Sequence, residues 1–183
     1  DVLAQPVSED WMAMKLPKRA QPNSDDIKAA VNLLRSAKRP LLMVGGGAVD
    51  ASAPIRKLIE LLQAPVVSST AGKGIVPDDH PLSLNASTVR PEIQSFISTA
   101  DVILAVGTEL AETDSFVESL DIRGEIIRID LDPRKLNDQY PSTIGIVADA
   151  NASIQDLLAE GGYKSKRQEK EIFSELEKIR QKI

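Results

Sequence analysis

Residues Pro40–Ala48 read P-L-L-M-V-G-G-G-A, and no other stretch limits the fold as strongly. Four consecutive apolar residues, Leu41–Val44, lie between a proline and three glycines. An unbroken apolar run of that length suits a strand covered on both faces, as in a parallel sheet. Gly45, Gly46 and Gly47 are followed by a segment with helical periodicity. Strand, glycine bend and helix in that order can hold a phosphate. The glycines let the backbone come close, and a helix start offers free N–H groups. The same pattern also serves as a tight connection with no ligand, since short glycine motifs often occur without one.

The alternation continues along the chain. Ser24, with Asp25 and Asp26 behind it, reads as the cap of a helix whose buried stripe is Ile27, Val31 and Leu34. Ser52 reads as the cap of a second helix, with Ile55, Leu58, Ile59 and Leu62 inward. Ala64–Val67 reads as a strand that runs into the hydroxyl- and glycine-rich loop Ser68–Gly74. Pro91 opens a third helix, and Val102–Val106 is a strand ending in Gly107-Thr108-Glu109. A short helix is expected over Asp114–Leu120. Further strands are expected at Glu125–Ile129 and Ile144–Val147, followed by Asp130-Leu131-Asp132 and by Ala148-Asp149. Asn151 or Ser153 starts a helix that ends at Gly161-Gly162. Strands alternating with helices predict an α/β domain with an open, mostly parallel Rossmann-like sheet of five to six strands and helices on both faces.

That domain is expected over residues 24–160. Residues 1–23 hold three prolines and no periodicity, and read as an interdomain linker. Residues 161–183 read as a charged linker helix, with a stripe of Ile172, Leu176, Ile179 and Ile183 suited to a partner.

The chain of 183 residues has a net charge of -5, which argues against a nucleic-acid surface. It contains no cysteine, which removes disulfides, thiolate zinc sites and cysteine nucleophiles and fits a reducing, cytoplasmic compartment. No apolar run reaches the ~18 residues needed to cross a bilayer. His80, the single histidine, sits in the turn Pro77-Asp78-Asp79-His80-Pro81 and reads as structural. No catalytic triad, zinc or P-loop motif is found, so no catalytic or metal-binding residue is assigned.

In open α/β sheets ligands collect beyond the carboxyl ends of the strands. Those ends are Gly45–Gly47, Ser68–Gly72, Gly107–Glu109, Asp130–Asp132 and Asp149. Glycines and hydroxyls suit a pyrophosphate, and Asp130 or Asp132 suits ribose hydroxyls. The ordinary dinucleotide fingerprint is not met. G-x-G-x-x-G would need glycine at Asp50, and no acid stands near Ser68.

Four motifs in this order carry a resemblance: V-G-G-G-A, V-V-S-S-T-A-G-K-G-I-V-P-D-D-H-P-L-S-L, A-D-V-I-L-A-V-G-T-E-L and I-I-R-I-D-L-D-P-R-K-L. Over Ser24–Leu158 the chain resembles the central domain of thiamine-diphosphate-dependent enzymes such as acetolactate synthase, oxalyl-CoA decarboxylase, glyoxylate carboligase and 2-oxo acid decarboxylases. The resemblance implies a six-stranded sheet of the deoxyhypusine synthase type. It also implies an excised, non-catalytic middle piece whose pyrimidine and diphosphate domains lie elsewhere in the same chain. Thiamine diphosphate and magnesium would be held by those domains in a homodimer or homotetramer. The resemblance implies a central-domain site that takes FAD in acetolactate synthase, ADP in oxalyl-CoA decarboxylase and nothing in many decarboxylases, with Gly45, Gly46, Gly47, Thr70, Gly72, Asp130, Asp132 and Asp149 as the candidate contacts. Glu109 stands where acetolactate synthases have a flavin-holding arginine, and Lys73 where they often have methionine. The acid disfavours FAD and points to a degenerate or empty site. Two alternatives remain open at this point: a freestanding NAD- or ADP-binding module of the deoxyhypusine synthase or sirtuin class, and a purely structural spacer.

Overall fold

The computed structural model describes residues 4–6 and 18–182. Most of the expected linker over 1–23 therefore lies outside the described residues.

Five strands form one parallel sheet: β1 (Pro40–Val44), β2 (Val66–Ser68), β3 (Val102–Val106), β4 (Glu125–Asp130) and β5 (Ile144–Val147). Their order across the sheet is β2-β1-β3-β4-β5. Leu42 pairs with Leu104, and Ile103 with Ile126, so aliphatic residues lie side by side through the sheet's centre. Every residue of β3 is buried. This is why both central strands read as unbroken apolar runs rather than alternating ones. Burying a leucine such as Leu42 or Leu104 contributes ~1.5–3 kcal/mol each.

A sixth position beyond β2 is occupied by Leu82–Asn85. The Val66 N–H donates to the Leu82 carbonyl (2.8 Å), and the Leu84 N–H returns to Val66 (2.8 Å). Only one parallel bridge, Val66 to Ser83, forms there. Asn85 turns left-handed (φ 60) and ends the pairing, so this segment never becomes a full strand.

The helices are α1 (Ser24–Ser36), α2 (Ser52–Leu62), α3 (Pro91–Ile97), α4 (Glu112–Ser115), α5 (Ala150–Glu160) and α6 (Glu169–Arg180). Short 3₁₀ turns cover Gly46–Ala51 and Pro133–Asn137. The connections β1–β2 and β2–β3 run in opposite directions across the sheet. Right-handed crossovers therefore place α2 and α3 on opposite faces. Helices α1, α2 and α5 pack together in one layer.

The helix starts differ in detail from expectation. Asn23, not Ser24, caps α1 by accepting the Asp25 N–H. Ser52 lies inside α2, and its hydroxyl donates to the Ile75 carbonyl. Helix α4 is shorter than expected because Phe116 turns left-handed (φ 55) and stops it. Strand β2 begins at Val66 rather than Ala64, and α5 begins at Ala150 under an Asp149 cap.

Helix α6 meets this domain itself. Ile172 and Leu176 are buried in the common core. Glu175 accepts from Arg39 (2.7 Å) and Arg167 (2.6 Å), and Arg180 donates to the Ser83 carbonyl (3.0 Å). Of the apolar stripe expected to await a partner, Ile172 and Leu176 are thus covered within the domain and Ile179 is half-buried against it, while Ile183 lies outside the described residues. No helix among the described residues is long and apolar enough to cross a membrane.

Candidate functional site

The strand order reverses between β1 and β3, and the loops that follow these two strands bound a cleft of about 760 Å³. Its lining combines the glycine bend (Gly45–Gly47), Thr70 and Ala71 after β2, Gly107–Glu109 after β3, Thr113 and Asp114 of α4, and Asp130 at the end of β4.

The glycines are required by backbone packing. A Cβ at Gly47 would lie 2.9 Å from the Gly107 Cα, and one at Gly45 would collide with the Gly107 carbonyl oxygen. No side chain fits between two main chains this close. The contact is also hydrogen-bonded: the Gly47 N–H donates to the Gly107 carbonyl (3.0 Å), and the Gly45 N–H donates to Val106 (3.0 Å). The Ala48 N–H turns back to Gly45. These amides are therefore engaged within the protein rather than offered to an anion.

Of the eight contacts that the resemblance implies, Gly45, Gly46, Gly47, Thr70 and Asp130 line the cleft. Gly72, Asp132 and Asp149 do not. Gly72 packs against the end of β1, where a Cβ would lie 2.9 Å from the Val44 carbonyl carbon. Asp132 caps the Pro133–Asn137 turn and grips the Arg134 guanidinium, which pulls its carboxyl down to about 2. Asp149 caps α5 through the Ala152 N–H and pairs with Arg19 (2.9 Å). Burial pushes the Asp149 carboxyl up, but those two partners outweigh it and hold it below its ordinary range.

The cleft's charge is one-sided. Glu109, Asp114 and Asp130 line it, and no lysine or arginine does. Lys135 pairs with Glu109 at 3.1 Å from beyond the lining. Asp114 accepts the Thr70 N–H (3.0 Å) and so ties the β2 loop to α4. Asp130 accepts the Asp132 N–H (2.9 Å). Three residues on the β3 side, Gly107, Leu110 and Phe116, have left-handed backbones. For Leu110 and Phe116 that conformation costs ~1–2 kcal/mol each. Strain of this kind collects where a fold shapes a ligand site.

Arg128 is the residue that sequence reasoning missed. It lies at the centre of β4 and is 1% exposed. Its guanidinium donates to Asp138 (2.5 Å), to the Tyr140 carbonyl (3.3 Å) and to the Thr108 carbonyl in the cleft wall (3.1 Å). A lone charge within I-I-R-I is the signal that marks it, because a buried charge needs partners. Asp114 was also missed. His80 is structural: its Nδ1 accepts the Leu82 N–H (3.2 Å), and Nε2 lies 3.5 Å from Glu60. Among the described residues no cluster of three or more histidine or carboxylate side chains suited to a metal is found.

The sheet order and the crevice at its reversal define a doubly wound α/β domain, the class whose ligands sit at the switch point. The chain belongs to the thiamine pyrophosphate enzyme central-domain family, whose profile matches residues 27–157. It is 46% identical over 160 residues to a probable 2-ketoarginine decarboxylase of Pseudomonas aeruginosa, covering 86% of this chain and 29% of that protein. It is 30% identical over 150 residues to a probable acetolactate synthase large subunit of Methanococcus aeolicus, covering 79% of this chain and 25% of that one. Benzoylformate decarboxylase of Polynucleobacter necessarius shares the fold, with a TM-score of 0.69 at 20% identity over 90% of this chain and 32% of that chain. The chain thus spans less than a third of these relatives, and the freestanding NAD- or ADP-binding module finds no support among them.

Proposed function

We propose that this chain is the non-catalytic central domain of a thiamine-diphosphate-dependent enzyme that decarboxylates or ligates a 2-oxo acid. Thiamine diphosphate supplies the carbanion chemistry, and the pyrimidine and diphosphate domains hold it with magnesium. Residues 1–23 and 161–183 lead to those domains, and the intact protein is a cytoplasmic homodimer or homotetramer. The 46% identity to a protein named for 2-ketoarginine favours a 2-oxo acid with a cationic tail as the substrate.

Within this domain the cleft is a degenerate nucleotide cradle. The observation that carries this reading is the lining itself, with three carboxylates, no cationic side chain, and the Gly45 and Gly47 amides already bonded to protein carbonyls. A pyrophosphate placed there meets repulsion of about 1 kcal/mol for each close charge pair even in water-like surroundings. Calorimetric titration of the intact protein with ADP and FAD tests the cradle, and no saturable heat is expected. Decarboxylation of 2-ketoarginine by the intact protein, dependent on added thiamine diphosphate, tests the activity. Saturable FAD binding overturns the first part, and inactivity on every 2-oxo acid tried overturns the second.

A further inference from the structure

The segment before α1 is fastened to the carboxyl edge of the sheet. Arg19 reaches two acids on separate elements, Asp50 (2.5 Å) in the Gly46–Ala51 turn and Asp149 (2.9 Å) at the start of α5. The Asp149 N–H donates to the Ala20 carbonyl (2.9 Å). Arg19 and Ala20, which lead into α1, are therefore held at this edge. The same place carries uncovered apolar side chains. Val49 is next to Asp50 and 56% exposed; Val147, two residues before Asp149, is 43% exposed. Leu131 is 58% exposed and follows Asp130, which pairs with Val147 in the sheet. Nearly all other large aliphatic side chains of the described residues are buried or half-buried; Leu61 and Val89 are the exceptions.

We propose that Val49, Leu131 and Val147, grouped around the Arg19 anchor, form the face on which the preceding domain of the same polypeptide sits. This rests on the reading of the chain as a central domain. The occupant is chosen by covalent continuity, since the incoming chain is pinned to this edge. Length agrees, since the match covers only 29% of the Pseudomonas aeruginosa protein and leaves room for further domains. The anchor fixes the direction of approach, and the three aliphatic side chains supply an apolar contact within a charged rim.

Hydroxyl-radical footprinting of the intact protein tests this, because it reads side-chain exposure and carries its own references. Leu61 is 44% exposed on α2, and Val89 is 40% exposed ahead of α3. Labelling of Leu131 is expected to fall roughly threefold or more below Leu61, and labelling of Val49 and Val147 similarly below Val89, as for the core of an interface. Equal labelling overturns the proposal. In the Arg19→Glu variant, labelling of Leu131 is expected to rise toward that of Leu61; an unchanged pattern overturns the anchor's part. Failure of the thiamine-dependent activity assay would sink the functional reading and leave the footprint readable.

Discussion

Arg128 props up Thr108: a buried guanidinium on β4 donates to a main-chain carbonyl in the cleft wall at 3.1 Å. Its other arm holds Asp138 and the Tyr140 carbonyl. One side chain thus joins the β3 loop to the segment between β4 and β5.

Replacing Arg128 with methionine is expected to destabilise the domain by about 3 kcal/mol. Breaking a buried pair costs ~3–5 kcal/mol, and the low end applies because Asp138 keeps some contact with water. Urea unfolding measures this. Amide exchange at residues 107–110 is expected to rise more than exchange in α1. A loss below about 1 kcal/mol would remove Arg128 from its structural role.

Gly47→Ala tests the close approach of the two loops. The added methyl meets the Gly107 Cα at 2.9 Å, and both partners are backbone. A loss of about 1–3 kcal/mol is expected from overpacking. Gly74→Ala supplies a contrast, since a Cβ there meets nothing within 4 Å and the cost is only that of its φ of +89.

The docking of α6 depends on pH through Glu175. Burial pushes this carboxyl up, but Arg39 and Arg167 outweigh it and hold it below its ordinary 4.5. Its contribution is therefore complete above pH 4.5 and lost as pH falls through the lower folded value. The melting temperature of the wild type should exceed that of Glu175→Gln at neutral pH. That margin should shrink below pH 4.5. A margin that is constant with pH would show that the charge is not what holds the helix.

Glu109→Arg replaces an acid with a cation in the cleft lining. Removing one repulsion and adding one attraction, each about 1 kcal/mol, is expected to strengthen ADP binding about tenfold or more, giving saturable heat where the unchanged protein gives none. Calorimetry on both proteins measures the change. Equal affinities would mean that charge does not control the cleft.

The α/β class, the five strands and the glycine bend were legible because β1 and β3 are buried on both faces. Such strands announce themselves as apolar runs. The cleft was legible in outline, since topology sends strand ends to one edge. What escaped were choices made by tertiary partners. Asp130 faces the cleft while Asp132 caps a turn two residues on, and the one local sign of the difference is Pro133 directly after Asp132. Asp149 looked like one more strand-end acid until α5 took it as its cap. Arg128 was hidden because its partners lie 10, 12 and 20 residues away in sequence. The stripe of α6 was read correctly as apolar, but periodicity does not say whose surface it meets.

The bend at Gly45–Gly47 rests on the Gly107 loop chiefly through peptide groups, so its shape owes little to the charged residues at the rim. Charge at position 109, which holds only the Lys135 side chain, can drift over evolutionary time without the floor giving way. A floor made of main chain leaves the rim above it open to recutting while the scaffold stays the same.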